Sequence, residues 1–165
     1  MPAELDRANP DPTRYDYSVD DFKEFLSRTP FFAGLWDRGL DWVVQTLVEN
    51  TFAAGTVVFA EGEPGHSMYV VKTGRLVARQ GERHCELMHY GPGDFFGEAT
   101  LIEMQPRPFS VVAEDVCVLY ELTNMDLYKL YRQDVKAYVL ILQNINRELC
   151  RRLRRASDRI AREAR

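Results

Sequence analysis

The spacing of apolar residues changes three times along the chain and divides it into four parts. Residues 1–17 carry three prolines and few apolar side chains, which is typical of a loose arm. Within residues 18–50 apolar side chains recur every three or four positions, which predicts two amphipathic helices, the first capped by Ser18 or Asp20. Their apolar faces are Phe22, Phe25 and Leu26 in the first helix and Leu40, Val43, Val44, Leu47 and Val48 in the second.

Residues 51–122 follow the pattern of strands. Short runs rich in β-branched and aromatic residues are separated by turns, several of which contain glycine. The predicted strands are 56–59, 67–71, 75–79, 84–90, 109–113 and 116–122. Many short strands at this spacing favour a closed antiparallel barrel or jelly roll. The predicted fold is therefore mainly β, with helices on both sides of one barrel.

Residues 123–165 return to a helical pattern. Thr123 or Asn124 is predicted to begin a short helix, and a long helix follows over about residues 134–162. The apolar positions of the long helix are Tyr138, Leu142, Ile145, Leu149, Leu153, Ala156, Ile160 and Ala164. Their steps of three and four favour a straight amphipathic rod over a strict heptad supercoil. One barrel cannot cover so long a rod, so we expect homodimerisation through residues 135–160.

Composition and charge narrow the class of protein. The length of 165 residues suits one domain with a full core, and a net charge of −4 gives no general reason to look for nucleic acid or anionic membrane. No apolar run approaches the length of a membrane span, and no signal peptide opens the chain. Three widely spaced cysteines, Cys85, Cys117 and Cys150, fit reduced thiols. We expect a cytoplasmic protein that does not associate with membranes.

The end of the long helix is strongly basic, with eight arginines against three acidic residues from Arg147 onward. The simplest interpretation is a solvated helix face, because cations are favourable near the C-terminal end of a helix dipole. Contact with an acidic partner or with nucleic acid is the alternative.

The candidate chemistry lies in residues 91–113, within the strand-rich part. Gly97 precedes a short helical turn predicted at Ala99–Ile102, and the amides at the start of such a turn suit an anion. Glu98 can accept hydrogen bonds from sugar hydroxyls, and Arg107 offers a planar fork of donors for a phosphate. A carboxylate, a guanidinium and bare amides together indicate a pocket for a sugar phosphate.

The order of these residues resembles a known family. Phe-Gly-Glu-Ala-Thr-Leu at residues 96–101, then four residues and Pro106-Arg107, is similar to the phosphate-binding cassette of cyclic nucleotide-binding domains. The segments that fall where this family has its hairpin signature are Gly55, 61–65, 68–71 and Gly74. The resemblance covers roughly residues 30–155. It implies a double-stranded β-helix (jelly-roll) barrel preceded by helices and followed by a long helix.

The resemblance also implies a function, that of a non-catalytic sensor which binds cAMP or cGMP. Glu98 would hold the ribose 2′-hydroxyl, Arg107 would bind the cyclic phosphate, and occupancy would be relayed to an unidentified downstream protein through the helices after Leu122. The implied ligand-binding residues are Gly97, Glu98, Ala99, Thr100, Arg107, Pro108, Phe109, Ser110, Val70 and Val71. The two valines and the final helix would lie against the purine.

Pro108 and Phe109 depart from the family pattern, which has small residues after the arginine. Proline has no backbone N–H, and family members direct that amide at the phosphate. The loss of one hydrogen bond to a charged group costs about 1.5–3 kcal/mol, or about one to two decades in affinity. The alternative to a sensor is therefore a degenerate, ligand-free domain of the same fold that acts as a dimeric scaffold for protein interactions.

Catalysis and direct DNA binding find little support in the sequence. On the predicted strand 84–90 only Cys85 and His89 share a face, too few ligands for a metal, and no nucleophile stands beside a base. We expect neither an enzyme nor a metal or other cofactor. A helix-turn-helix reader would need about 60–80 residues after the long helix, and the chain stops at Arg165, which argues against direct DNA binding.

Overall fold

The computed structural model describes residues 18–163. The predicted arm at residues 1–17, and Ala164 at the end of the predicted rod, lie outside this range. The elements in chain order are α1 (Val19–Arg28), α2 (Asp37–Thr46), β1 (Val48–Phe52), β2 (Val57–Phe59), β3 (Ser67–Thr73), β4 (Leu76–Gln80), β5 (Cys85–Tyr90), β6 (Phe95–Phe96), α3 (Glu98–Glu103), β7 (Ser110–Ala113), β8 (Cys117–Thr123), α4 (Asn124–Gln133) and α5 (Val135–Glu163).

The two N-terminal helices form as their pattern predicts. Ser18 caps α1 in a capping box with Asp21, in which each side chain accepts a hydrogen bond from the other's backbone N–H. The apolar faces of α1 and α2 bury Leu26 and Val43 completely. Val48, predicted on the second helix, instead begins β1 and lies opposite Glu121 of β8. The helical assignment of Val48 is therefore wrong, because pairing with β8 prevails over the local apolar period.

The strands form two four-stranded antiparallel sheets, which confirms the predicted jelly-roll architecture. Their strand orders are β1-β8-β3-β6 and β2-β7-β4-β5. The sequence did not predict β1 or the two-residue β6, which pairs with Tyr69 and Val70 of β3. One core cluster lies between the barrel and the helices and includes Val70, and a second cluster, which includes Val71, fills the barrel.

Polar contacts as well as packing fix α4 to the end of β8 and α5 to the segment between α1 and α2. Thr123 caps α4 in a capping box with Asp126. On α5, the buried Asn144 amide donates to the carbonyl oxygens of Phe31 and Ala33 at 3.0 and 2.9 Å. From residue 153 to residue 163 every side chain of α5 is exposed. The end of this helix therefore projects beyond the barrel.

The apolar stripe predicted on the long helix is covered in the first half of the helix and exposed in the second half. Ile145 is fully buried and Tyr138 packs against the same core cluster, whereas Leu153 and Ile160 are 68% and 67% exposed. No helix within residues 18–163 has both the length and the apolar character needed to cross a membrane.

Candidate functional site

The short helix α3 starts where the backbone of Gly97 lies close to the Arg107 side chain and to the backbone of Ser67. Gly97, its N-cap residue, has φ +83°, and a Cβ at this position would lie 2.7 Å from Arg107 Nη1 and 3.2 Å from the Ser67 carbonyl oxygen. Only glycine fits both this conformation and this space. The predicted helical turn is confirmed, and it directs Glu98 and Thr100 into the protein, where both are 3% exposed.

Arg107 reaches the same place from the loop before β7. Its backbone is held by residues of the loop after β2, since its N–H donates to the Glu63 carbonyl oxygen at 2.8 Å and its own carbonyl accepts from Gly62 N–H at 2.9 Å. Its guanidinium lies over the Phe59 ring, with Cζ 4.0 Å from the ring centroid. The side chain is 4% exposed.

The Arg107 guanidinium is a buried cation with neutral hydrogen-bond acceptors. Nη1 donates to the Gly97 carbonyl oxygen at 3.2 Å and to Thr100 Oγ1 at 3.0 Å, and Nη2 donates to the Ser67 carbonyl oxygen at 2.7 Å. Nε is buried and has no acceptor within residues 18–163. Burial lowers the pKa of this guanidinium, and Tyr69 and the surrounding carboxylates oppose the effect. An anion beside Nε would offset the cost of burying the charge.

Glu98 is occupied by a residue of α5. Its Oε1 accepts a hydrogen bond from Arg152 Nη1 at 2.7 Å, and Arg152 Nη2 also donates to the Phe95 carbonyl oxygen at 2.5 Å. Burial raises the pKa of the Glu98 carboxyl, and the Arg152 charge opposes this shift. Arg152 Nε lies 3.3 Å from Glu148 Oε1, one helical turn earlier on α5. The ion pair between Arg152 and Glu98 therefore ties α5 to the start of α3.

Glu98 and Arg107 line one cavity of about 180 Å³ between the cassette, the barrel and α5. Its lining residues are Phe59, Met88, Gly97, Glu98, Ala99, Thr100, Arg107, Pro108, Phe109, Leu149 and Arg152. Pockets for small ligands are typically about 300–1,000 Å³, so this cavity is smaller than most of them. Leu149 and Arg152 place α5 along one of its walls.

Three residues of the sequence-predicted site lie elsewhere. Val70 and Val71 are fully buried in the two core clusters and do not line the cavity. Ser110 Oγ accepts a hydrogen bond from the Glu61 N–H at 2.9 Å, which fixes the loop after β2. The carbonyl oxygen of Pro108 accepts from Gln80 Nε2 at 2.9 Å, so the residue after Arg107 is tied to β4.

Four lining residues were absent from the sequence-based set, namely Phe59, Met88, Leu149 and Arg152. Phe59 and Met88 sit on predicted strands, but their direction depends on how the two sheets close. Leu149 was predicted on the apolar face of α5, and Arg152 lies three residues later on an adjoining face. The signal in the sequence for a wall built from α5 was the resemblance to the family, which implies that the final helix lies against the purine.

Cys85 and His89, the only pair of possible metal ligands on the predicted strand, have other surroundings. Cys85 is exposed, and His89 Nδ1 lies 3.3 Å from a Glu114 carboxylate oxygen. Within the described part of the chain, no group of three or more His, Cys, Asp or Glu residues could hold a metal ion.

Comparison with known proteins gives the family of this chain. The model of the cyclic nucleotide-binding domain matches residues 49–134, which are 86 of the 165 residues. The chain belongs to the cyclic nucleotide-binding domain family. The match contains the whole cassette, and thus both Glu98 and Arg107.

The relatives of this cyclic nucleotide-binding domain include kinase subunits and transcriptional regulators. It is 36% identical over 92 residues to a cAMP-dependent protein kinase regulatory subunit of Hypocrea atroviridis, covering 56% of this chain and 20% of the relative. It is 28% identical over 145 residues to a CRP-like cAMP-activated global transcriptional regulator of Mycobacterium tuberculosis, covering 84% of this chain and 61% of the relative. The matched region thus spans about one fifth of the length of the kinase subunit and about three fifths of that of the transcriptional regulator.

Solved structures show the same similarity. The catabolite activator protein of Thermus thermophilus superposes with a TM-score of 0.70 at 28% identity, covering 82% of this chain and 63% of that one. The regulatory domain of Toxoplasma gondii PKA with cAMP superposes with a TM-score of 0.62 at 27% identity, covering 67% of this chain and 43% of that one.

Proposed function

We propose that this domain is a non-catalytic sensor that binds a cyclic nucleotide, cAMP or cGMP. The observation that carries the proposal is Arg107, a guanidinium that is 4% exposed, has neutral acceptors and keeps an Nε with no partner among the described residues 18–163. A cyclic phosphate, which carries one negative charge, would supply the missing counter-ion. Glu98, on the same cavity, would accept a hydrogen bond from the ribose hydroxyl.

The rest of the cavity suits the remaining parts of such a ligand. The three acceptors of Arg107 hold its guanidinium plane over Phe59, so that the phosphate meets a group already oriented. The first amides of α3 have no partner within the helix, and the residues that carry them, Glu98, Ala99 and Thr100, line the cavity. Met88, Phe109 and Leu149 supply apolar surface for the purine.

The proposed output is a movement of α5 relative to the barrel. Leu149 and Arg152 form a wall of the cavity, and the cavity of about 180 Å³ is below the usual range for small-ligand pockets. A nucleotide would therefore fit best with α5 displaced. A ligand that binds the displaced arrangement better than the present one shifts the equilibrium between them, which is how occupancy would be relayed.

We further propose that α5 pairs two copies of the chain in parallel. Burial selects a stripe different from the apolar one that predicted a straight rod, and its exposed or half-buried positions follow steps of 4, 3, 4, 3, 4, 3 and 4, a heptad pattern. Its residues are Val135, Val139, Leu142, Asn146, Leu149, Leu153, Ala156 and Ile160. If Val139 is placed at heptad position a, Asn146 is a single polar a residue, which in parallel coiled coils specifies register and two strands.

The arginines of α5 are compatible with this pairing. In the same heptad frame Arg147, Arg151, Arg154, Arg155 and Arg162 fall at outer positions, away from the apolar seam. Arg152 and Arg159 flank the seam, but each has an acidic partner in its own chain, Glu98 for the first and Glu163 for the second. The projecting end of α5 also has no barrel to pack on, and a solitary helix of this length would be marginal in water.

Isothermal titration calorimetry with cAMP and cGMP tests the sensor proposal. We expect saturable binding of at least one nucleotide by the wild-type chain and its loss in Arg107→Ala. Arg75→Ala is the matched control, since Arg75 is an exposed arginine that pairs with Asp115 away from the cavity. Binding that survives Arg107→Ala would contradict the assignment of the phosphate site.

The ligand-free scaffold is kept as a second candidate because Pro108 lacks the amide after Arg107 and the cavity is small. If calorimetry detects no binding of cAMP or cGMP at millimolar concentration, the ligand-free scaffold is favoured. Pro108→Ala separates the two candidates further, since a sensor should bind about tenfold tighter once that amide is restored. Pro106→Ala, outside the cavity lining, is the control.

A further inference from the structure

The ion pair between Arg152 and Glu98 occupies the acceptor that the proposed function assigns to the sugar. Glu98 is 3% exposed, so its carboxylate has little access to water and depends on the donors around it. Arg152 Nη1 supplies a charge-assisted hydrogen bond at 2.7 Å, whereas a ribose hydroxyl would supply a neutral one. A sugar that binds Glu98 therefore competes with a stronger donor of the protein itself.

Arg152 has four further contacts that hold it at this place. Nη2 donates to the Phe95 carbonyl oxygen, and Cζ lies 5.2 and 5.6 Å from the ring centroids of Phe95 and Tyr90. Nε lies 3.3 Å from Glu148 Oε1 on the same helix. The Glu148 contact is internal to α5, so it can persist when the other contacts break. Arg152 would then leave Glu98 without losing every acidic partner.

The position of Arg152 along α5 makes this contact the last one with the barrel. Its side chain is partly buried, whereas residues 153–163 are all exposed. Opening the pair without a replacement would leave Glu98 as a buried carboxylate lacking its strongest donor, which is costly. The pair should therefore stay closed until another donor reaches Glu98.

We propose that Arg152 is a latch, an internal competitor for Glu98 that keeps α5 against the cassette and opens when a ligand hydroxyl takes its place. This inference rests on the proposed function, since it names how the same site is regulated. It makes Arg152 a residue that lowers affinity for the ligand, although it lines the cavity. Release of the latch would free the end of α5 from the start of α3.

Two measurements on the full chain test the latch, with Arg152→Gln as the variant and Arg151→Gln as the matched control. Arg151 is the neighbouring arginine and also contacts Glu148, at 3.3 Å, but it does not reach Glu98. By calorimetry we expect Arg152→Gln to bind cAMP or cGMP about tenfold tighter than wild type, and Arg151→Gln to match wild type. Equal or weaker binding by Arg152→Gln would overturn the competition.

Hydrogen–deuterium exchange without nucleotide supplies the second measurement. We expect faster exchange of the amides of residues 145–152 in Arg152→Gln than in wild type or Arg151→Gln, because α5 opens more often. Unchanged exchange would overturn the latch whatever the calorimetry shows. If neither the wild-type chain nor any variant binds nucleotide, the proposed function and the competition both fail. Faster exchange in Arg152→Gln would then mean that Arg152 only holds α5 in place.

Discussion

At the scale of single residues, the site depends on one glycine and one arginine that share a confined space. Gly97 has no side chain to place against Arg107 Nη1, and its carbonyl oxygen is one of the acceptors that orient that guanidinium. The orientation leaves Nε buried, with no acceptor among residues 18–163. The affinity of the site should therefore be as sensitive to Gly97 as to the charged residues.

Gly97→Ala is predicted to abolish nucleotide binding and to destabilise the fold. Any L-residue at φ +83° costs about 1–2 kcal/mol, and here the added Cβ would also displace Arg107. Gly55→Ala is the matched control, because Gly55 has φ +81° and no atom within 4 Å of its added Cβ. Urea unfolding should show the larger loss for Gly97→Ala, and calorimetry should show binding retained by Gly55→Ala alone. Equal losses in both variants would contradict the crowding at Gly97.

At the scale of elements, the barrel could be predicted to a large extent, but the two edge strands of one sheet, β1 and β6, could not. The strands with alternating β-branched and aromatic residues form where expected, because each has at least one face in a core. Val48–Phe52 was hidden because Val48 continues the apolar period of α2, and Phe95–Phe96 because two residues give no period at all. Both strands exist through their partners, β8 and β3, which no local pattern reveals.

Cys117, at the start of β8, provides a chemical probe of the closed barrel. Burial, followed by the nearby Asp115 charge, raises the pKa of its thiol to about 11, whereas Cys85 and Cys150 are exposed. The thiolate is the reactive form, so at pH 8 iodoacetamide should modify Cys85 and Cys150 and spare Cys117. Peptide mass spectrometry reads the three sites separately. Rapid modification of Cys117 in the native protein would contradict a stable pairing of β8 with its neighbours.

At the scale of the whole molecule, the identity of the site residues was easier to predict than the walls around them. Glu98 and Arg107 follow from a motif whose spacing places both at one cavity, as the structure shows. Arg152 could not be predicted as the partner of Glu98, since the two are 54 positions apart and meet only through the path of α5. Val70 and Val71 are predicted to contact the ligand, but they lie in the two core clusters. Strand alternation places them on opposite faces of β3 without showing what each face packs against.

The proposed parallel pairing of α5 predicts a dimer that depends on the exposed seam. The double variant Leu153→Gln, Ile160→Gln should weaken dimerisation at least about a hundredfold, because burial of each such side chain contributes about 1.5–3 kcal/mol. Arg155→Gln with Arg162→Gln, at outer positions of the same helix, is the matched control and should remain dimeric. Sedimentation equilibrium measures both.

Orientation requires a separate measurement. Spin labels at residue 161, in a chain whose native cysteines are replaced by serine, should lie within about 30 Å of each other in a parallel pair and about 40 Å apart in an antiparallel one. A wild-type monomer at tens of micromolar, or the longer distance, would contradict the parallel pairing.

Binding of a cyclic phosphate at Arg107 can be observed directly at the side-chain Nε of this residue. Proton–nitrogen correlation spectra of the arginine Nε–H groups, with Arg107 assigned by its absence in Arg107→Lys, would follow this group during titration with cAMP or cGMP. We predict a large, saturable shift of the Arg107 Nε–H signal as the cyclic phosphate becomes its acceptor, and none with adenosine, which lacks the phosphate. Nucleotide binding that leaves this signal unmoved, or no binding at millimolar nucleotide, would contradict the account.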